Sequence, residues 1–369
     1  MTVFIIANTY WNIINFRQPI IEMLEKKGAK VYTCAPFDVS SDQTQNRSPN
    51  FIGLMHAHSH KNGLINAYKS IKEYKLIFNI KRPSLILLYT MKPNIYANIA
   101  AAQLGIPVIS TVTGLGYTFI KGGLTRYISE RLYKFAFRKT KYIVFHNPDD
   151  KQLFVNQGFA KENRCKVIRG SGVDIEKFKP QIESKKSDKF IFIFIGRLLV
   201  DKGFREYISA ARNFIDKEDV EFHIVGERYP QNPASLTEKE WNEKSKARNI
   251  TWHKKQEDVR PYIAEADVMV LPSYREGLPM SILEAMAMGK PVITTDVPGC
   301  RETIEAGING LLVPVKDSEA LTNAMQKMYS MPKTELKLWR QRSREKAIEE
   351  FSSRIVARAY EKLIFSENV

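Results

Sequence analysis

From Asp267 to Gly289 the order of residues leaves the chain little choice of fold. Asp267-Val-Met-Val-Leu271 is a short apolar run with two β-branched residues, the composition of a strand buried on both faces. A loop follows, with Glu276 and Gly277 at its apex. Pro279 suits the first turn of a helix, where a missing N–H costs nothing. Ile282, Leu283, Ala285, Met286 and Met288 continue that helix, and Gly289 stands where a C-terminal cap belongs. Strand, loop and helix in this order gather polar groups at the carboxyl end of a strand. In open α/β sheets that edge is where ligands bind.

Two carboxylates flank the helix start, Glu276 in the loop and Glu284 inside the helix, the latter roughly 8 Å along the axis at 1.5 Å per residue. Each can accept hydrogen bonds from a vicinal diol. The helix N-terminus between them offers free N–H groups and positive potential, suited to phosphate. Sugar hydroxyls, diphosphate and ribose hydroxyls in a row describe a nucleotide sugar. For either glutamate alone, a solvated side chain is the simpler reading.

Glu276-x7-Glu284 within Pro-Ser-Tyr-Arg-Glu-Gly-Leu-Pro resembles the donor-site signature of the family 4 retaining glycosyltransferases. Upstream, the apolar run Phe190–Ile195 ends in Gly196-Arg-Leu-Leu-Val-Asp-Lys-Gly203, with Arg197 and Lys202 bracketing the loop. An Arg fork and a Lys point charge suit a diphosphate, and they offset the repulsion two glutamates would exert on it. This Gly-Arg-x4-Lys-Gly also matches the family pattern. The resemblance implies an α/β chain of the GT-B fold, two Rossmann-like doubly wound parallel-sheet domains facing a cleft. It implies that Arg197 and Lys202 bind the diphosphate and Glu276 the donor sugar, these three being the catalytic set. Glu284 would bind the ribose, with Gly196, Gly277, Leu278 and Pro279 completing the donor site.

The rest of the chain agrees with two domains. Strands and helices alternate from Val3–Ala7 through a helix over Arg17–Lys27, a strand Lys30–Ala35, a helix Leu64–Ile80 and a strand Leu85–Leu88. Ile95–Ile120 carries no charge, but Gly105, Pro107, Gly114 and Gly116 break it into helix and strand, so it does not read as a membrane span. Tyr142–Phe145 and Lys166–Arg169 read as the last strands of the half. The polar stretch Gln181–Lys189 suits a linker, giving domains 1–180 and 181–350. Ser343–Phe365 reads as one closing helix with Ala347, Ile348, Phe351, Ile355, Ala359 and Leu363 spaced for burial. In the GT-B fold that last helix, 351–369 here, packs back onto the first domain.

Two loops of the first half are candidates for an acceptor site. Asn8–Phe16 follows the first strand and precedes Arg17; it lacks glycine, unlike a dinucleotide-binding fingerprint and unlike many family members. Thr113-Gly-Leu-Gly116 follows a strand directly and is either a plain turn or, by the resemblance, a loop facing the cleft. Asn8, Arg17, Thr113, Gly114 and Gly116 are therefore the acceptor-side candidates. Many relatives carry a histidine near this place; none stands here. His56, His58 and His60 alternate without a Cys or acidic partner and do not read as a metal site.

Charge divides the chain. Of a net +16, residues 1–180 hold 26 basic and 11 acidic residues, and residues 181–369 hold 30 and 29. A basic half calls for an anionic partner: a membrane surface, a diphosphate lipid or nucleic acid. Leu124–Tyr142 interleaves aromatics with Arg126, Arg131, Lys134, Arg138 and Lys139. Helical spacing puts Tyr127, Leu124, Leu132, Phe135 and Ile128 on one face, which would be either core or a surface against anionic lipid. The three cysteines follow no metal spacing, and the opening residues show no charged leader.

The resemblance implies a cytoplasmic enzyme, peripheral on the inner face of the bacterial cytoplasmic membrane. It would move a sugar from a UDP-sugar to a lipid-diphosphate-linked saccharide with retention, with no cofactor, no metal and no nucleic acid. Asp296-Val-Pro-Gly-Cys-Arg301 and the Asn232-Pro-Ala-Ser235 loop resemble members that add N-acetylhexosamine, often N-acetylgalactosamine, to undecaprenyl-diphosphate-linked sugars. No Asp-x-Asp occurs, as a metal-bridged diphosphate would call for. A nucleotide-sugar epimerase and a nucleic-acid-binding module are the alternatives.

Overall fold

The computed structural model describes residues 1–36, 48–57, 63–115, 123–181, 187–230, 232, 234–244 and 247–365. The chain divides into two compact units, Met1–Ser171 with Arg354–Val369, and Gly172–Ser353. The junctions thus fall at 171 and 353, not at 180 and 350. Gly172–Pro180 goes with the second unit because Val173 bridges Ser352, exchanging backbone hydrogen bonds with Phe351 and Ser353 at 2.8 and 2.9 Å.

Among the described residues the first unit holds a parallel seven-stranded sheet. Its strands are β1 (Thr2–Ile6), β2 (Lys30–Pro36), β3 (Phe51–Leu54), β4 (Leu85–Tyr89), β5 (Val108–Val112), β6 (Tyr142–Phe145) and β7 (Cys165–Val167). The order is β3-β2-β1-β4-β5-β6-β7. Alternation along β1 separates two cores. Val3 and Ile5 face Tyr10, Ile13, Leu24 and the returning Tyr360, while Phe4 and Ile6 face Tyr74, Phe78, Ala97 and Ala101. The helices Leu64–Lys81, Met91–Gln103 and Gly123–Ala136 lie side by side in that second layer.

The second unit repeats the scheme with β8 (Phe190–Ile195), β9 (Val220–Val225), β10 (Ile250–Trp252), β11 (Val268–Leu271), β12 (Val292–Thr295) and β13 (Gly310–Val313), ordered β10-β9-β8-β11-β12-β13. Phe-Ile-Phe-Ile-Phe-Ile in β8 is apolar throughout because helices cover both faces of the sheet. In both sheets the order reverses beside the first strand, between β1 and β4 and between β8 and β11.

Three expectations change. The first loop is largely a helix, Tyr10–Phe16, because the Thr9 side chain accepts from the Asn12 N–H at 3.1 Å and caps it. The closing helix is two, Lys333–Phe351 and Ser353–Phe365, since Ser352 takes an extended conformation (ψ 144°). That break resets the helical phase. Ala347, Phe351, Val356 and Tyr360 are buried, and Ile348 and Ile355 are not.

Candidate active site

β8 and β11 are neighbours, so the loops that leave their carboxyl ends run side by side. Gly203 makes the contact possible: at φ +71° it turns away from L-residue space, and a Cβ there would stand 1.9 Å from the Pro272 carbonyl oxygen. Pressed together, the loops bring Lys202 Nζ to 2.5 Å from Glu276 Oε1. The two side chains are 16% and 13% exposed, so the pair is shielded yet reachable. Ser273 Oγ lies 2.8 Å from the same carboxylate oxygen and 3.1 Å from the Asp201 carbonyl, with one proton to donate between them. The Glu276 N–H donates to the Pro298 carbonyl at 3.1 Å. Behind it Gly299, at φ +85°, could not carry a side chain, because a Cβ would meet the Glu276 carbonyl oxygen at 2.4 Å. Arg197 follows Gly196 at the end of β8 and is exposed.

Gly277, Leu278 and Pro279 are buried and lead into the helix Met280–Ala287. Pro279 caps this helix instead of opening its first turn; Ile282 and Leu283 donate to its carbonyl at 3.2 and 3.3 Å. The Met280 and Ser281 N–H groups are left without intrahelical acceptors. At the other end Gly289 (φ +73°) and Lys290 donate back to Met286 and Ala285 at 2.8 and 2.9 Å, the paired bonds of a Schellman cap. Arg344 anchors the helix from Lys333–Phe351, donating to the carbonyls of Ala287, Phe178 and Ile175 at 2.5, 2.8 and 2.9 Å.

Glu284 is the fifth residue of the helix. Burial pushes its carboxyl up to about 7, and Lys177 only partly counters this. The folded protein therefore favours the protonated group, whose unfolded value is about 4.3. Its stabilising effect is complete below that value and lost as pH rises through about 7. Urea unfolding between pH 5 and 8 should show stability falling by up to about 3 kcal/mol, at 1.4 kcal/mol per unit. Glu284→Gln, neutral throughout, should flatten that slope; an unchanged slope would remove Glu284 as its source.

In the first unit Arg17 does not line a surface. Only 2% exposed, it stacks on Tyr89 at 3.9 Å, donates to Ser171 Oγ at 3.0 Å and reaches Asn12 Oδ1 at 3.2 and 3.3 Å. Burial lowers the guanidinium's proton affinity. Beside it His146 is also buried, its imidazole held neutral at about 3, first by burial and then by Arg17. Arg17 is thus a brace for the helix Tyr10–Phe16. Asn8 and Thr113 are half-buried at the ends of β1 and β5, and Gly114 takes φ +133°. Gly116 lies outside the described residues, as do His58 and His60.

Sequence profiles match each unit separately: "Glycosyl transferase 4-like" over residues 6–147 and "Glycosyl transferases group 1" over 189–331, together most of the chain. The chain belongs to the family 4 glycosyltransferases. It is 27% identical over 95% of both chains to a Campylobacter jejuni protein, the N,N′-diacetylbacillosaminyl-diphospho-undecaprenol alpha-1,3-N-acetylgalactosaminyltransferase. Its fold is GT-B. Sucrose-phosphate synthase from Thermosynechococcus elongatus superimposes with a TM-score of 0.84 at 19% identity, covering 100% of this chain and 99% of the other. Anabaena HepE, solved with UDP and glucose, gives 0.80 at 16% identity, covering 99% and 100%.

In this glycosyltransferase the sequence reading missed Ser273 and Gly299, which hold Glu276, because neither carries a charge or a pattern of its own. It also missed Tyr274, which donates to Glu206 Oε1 at 2.7 Å and fixes the loop from the helix Phe204–Arg212. Their shared signal was proximity: all lie within the two segments already singled out or in the Asp296–Arg301 turn. Of the two readings of the apolar face on the helix Gly123–Ala136, core does not hold for Tyr127, Ile128 and Phe135. The helix's buried side is Ser129, Tyr133 and Ala136; Tyr127, Ile128 and Phe135 point outward beside Arg131 and Lys134. The side chain of Leu124 lies outside the described residues.

Proposed function

We propose that the enzyme transfers a sugar, N-acetylgalactosamine or another N-acetylhexosamine, from a UDP-sugar to an undecaprenyl-diphosphate-linked saccharide, with retention. The setting is assembly of a bacterial surface polysaccharide or glycan. The Lys202–Glu276 pair at the β8–β11 switch carries the reading, since it sets a cation and an anion side by side where a nucleotide sugar needs both. When donor enters, Lys202, still against Glu276, and exposed Arg197 meet the diphosphate, with the Met280 and Ser281 N–H groups beside them. Glu276 accepts from hydroxyls of the sugar and Glu284 from the ribose, so proton loss from Glu284 favours donor.

The bond from the sugar's anomeric carbon to the β-phosphate oxygen breaks, its electron pair staying on that oxygen. The acceptor hydroxyl oxygen bonds the same face of the carbon, and its proton passes to the departing phosphate. Lys202 and Arg197 stabilise the growing phosphate charge in place of a metal. The choice of sugar and acceptor rests on the Campylobacter relative's name and on the Asp296–Arg301 turn.

A panel of UDP-sugars with a polyprenyl-diphosphate-linked acceptor, in EDTA, tests this. The α-linked product should form without divalent metal; inverted product, or activity restored only by magnesium, would refute the respective part.

The same reading places the enzyme on the cytoplasmic face of the membrane, as a peripheral protein. Among the described residues no helix is long and apolar enough to cross a membrane. Glu130 is taken by Arg126 at 2.7 Å, leaving Arg131, Lys134, Arg138 and Lys139 exposed beside the outward Tyr127, Ile128 and Phe135. Arg131→Glu/Lys134→Glu/Arg138→Glu should release the protein from anionic liposomes and slow transfer to a lipid-linked acceptor. Transfer to a short water-soluble acceptor should hold; equal losses on both would assign the helix to the fold.

A further inference from the structure

The helix Leu64–Lys81 has two apolar sides. Ser70, Tyr74 and Phe78 are buried against the sheet layer, as a core helix requires. On the opposite side Leu64 is 91% exposed, Ile65 72%, Tyr68 67%, Leu76 61% and Ile80 66%. At 100° per residue, Ile65, Tyr68, Lys69, Lys72, Leu76 and Ile80 fall within a stripe about 120° wide. A helix apolar all round is ordinarily covered on all sides. Among the described residues, no large apolar side chain of the second unit is more than 49% exposed. Scattered exposure of that kind is ordinary, whereas a contiguous stripe marks an interaction surface.

Charge identifies the occupant. Lys69 and Lys72 stand in the stripe and Lys75 at its border. The helix's only acidic residue, Glu73, is turned off the stripe: its two oxygens accept from the N–H groups of Met55 at 2.6 Å and His56 at 3.0 Å. Among the described residues the stripe is therefore apolar and cationic, with no acidic side chain within it. Helix Leu64–Lys81 packs beside Met91–Gln103, and that beside Gly123–Ala136, all on one face of the sheet. The outward faces of the first and third helices thus belong to one side of the unit.

We infer that Leu64–Lys81 is a membrane-seated helix: it lies in the plane of an anionic bilayer surface, with Ile65, Tyr68, Leu76 and Ile80 below the headgroups and Lys69, Lys72 and Lys75 among the lipid phosphates. At 1.5 Å per residue its 18 residues lie along about 27 Å of bilayer. This rests on the membrane reading given above and extends it, since lysines alone hold a protein near a surface whereas apolar side chains seat it.

Three forms of the full chain decide it, with sedimentation on phosphatidylglycerol-rich vesicles as the readout. Lys69→Glu/Lys72→Glu/Lys75→Glu should weaken binding by about a hundredfold or more, at about 1 kcal/mol per basic residue near the surface. Ile65→Ser/Leu76→Ser/Ile80→Ser should weaken it about tenfold too, and leave more of the remaining binding removable by salt. All six positions except Lys75 are exposed and none supports the sheet, so circular dichroism and transfer to a water-soluble acceptor should be unchanged. Independently, the fluorescence of a Tyr68→Trp form should shift to the blue on these vesicles and be quenched by brominated lipid. If both helix variants bind like the native chain while Arg131→Glu/Lys134→Glu/Arg138→Glu is released, this inference falls and the membrane reading stands. If no variant is released, both fall. A dimer in light scattering that the serine variant converts to monomer would assign the stripe to a second copy of the chain and overturn the proposal. An emission spectrum of the Tyr68→Trp form that vesicles leave unshifted would overturn it as well.

Discussion

Lys202→Ala should lower kcat by about 10² or more, the scale of removing one group aimed at charge that grows in the transition state. The geometry explains why the loss cannot be made up locally. Lys202 is the last residue of the short helical turn Val200–Lys202, held in place because Gly203 touches Pro272. Its ammonium sits 2.5 Å from Glu276 and its side chain is only 16% exposed, so water cannot fully replace it. In the proposed donor complex, removing it leaves the Glu276 carboxylate near the diphosphate without the Lys202 cation, and the neutral Ser273 hydroxyl beside it does not restore the charge. Arg197→Ala, at an exposed position, should also lower kcat on the same scale. Lys202→Arg should recover only part of the rate, since the larger planar guanidinium has to fit a shielded position occupied by a compact ammonium. Steady-state kinetics at saturating donor decide this; a kcat within about threefold of the native enzyme would exclude Lys202 from the chemistry, far short of the loss expected for a charge stabiliser.

How much of this was legible in the sequence depended on whether the information was local. The runs Phe190–Ile195 and Val268–Leu271 are apolar end to end, so buried parallel strands could be read directly, as could Gly289 at a helix end. The loops that hold Arg197, Lys202 and Glu276 could be located for the same reason: each lies where a strand gives way to a helix. What could not be read was the pairing of Lys202 with Glu276. It depends on β8 and β11 becoming neighbours across 74 residues and on a glycine at their contact, which no periodicity encodes. The helix Tyr10–Phe16 was hidden because its aromatic and β-branched residues are poor helix formers, and only the Thr9 cap and packing of Tyr10 and Ile13 select it. Helices with apolar residues on two sides misled in a different way. In Gly123–Ala136 the pattern grouped Tyr127, Ile128 and Phe135 but could not say which side the sheet would cover. The sheet took Tyr133 and Ala136 and left Tyr127, Ile128 and Phe135 outside.

Glu276→Gln should cost turnover without costing nucleotide. The amide keeps the shape of the carboxylate, and its oxygen can still accept from Ser273 and Lys202 at the positions 2.8 and 2.5 Å away. What it loses is the charge that strengthens hydrogen bonds from sugar hydroxyls, roughly a twofold difference in strength per bond. It also replaces one acceptor with a donor where those hydroxyls need acceptors. A fall in kcat of about 10² is expected, while UDP affinity stays within a few-fold, because the proposed donor site assigns the diphosphate and ribose contacts to other residues. The ion pair adds a second signature. Lys202 and Glu276 touch, so their losses should not multiply: the double variant Lys202→Ala/Glu276→Gln should be less impaired than the product of the two singles, by a coupling of about 0.5–3 kcal/mol. Calorimetry with UDP and kinetics with the sugar donor separate the two terms. Abolished UDP binding in Glu276→Gln would mean that the carboxylate holds the loop together and does not read the sugar. Strictly multiplicative losses would mean that Lys202 and Glu276 act apart despite their contact, with the ion pair broken before the chemistry begins.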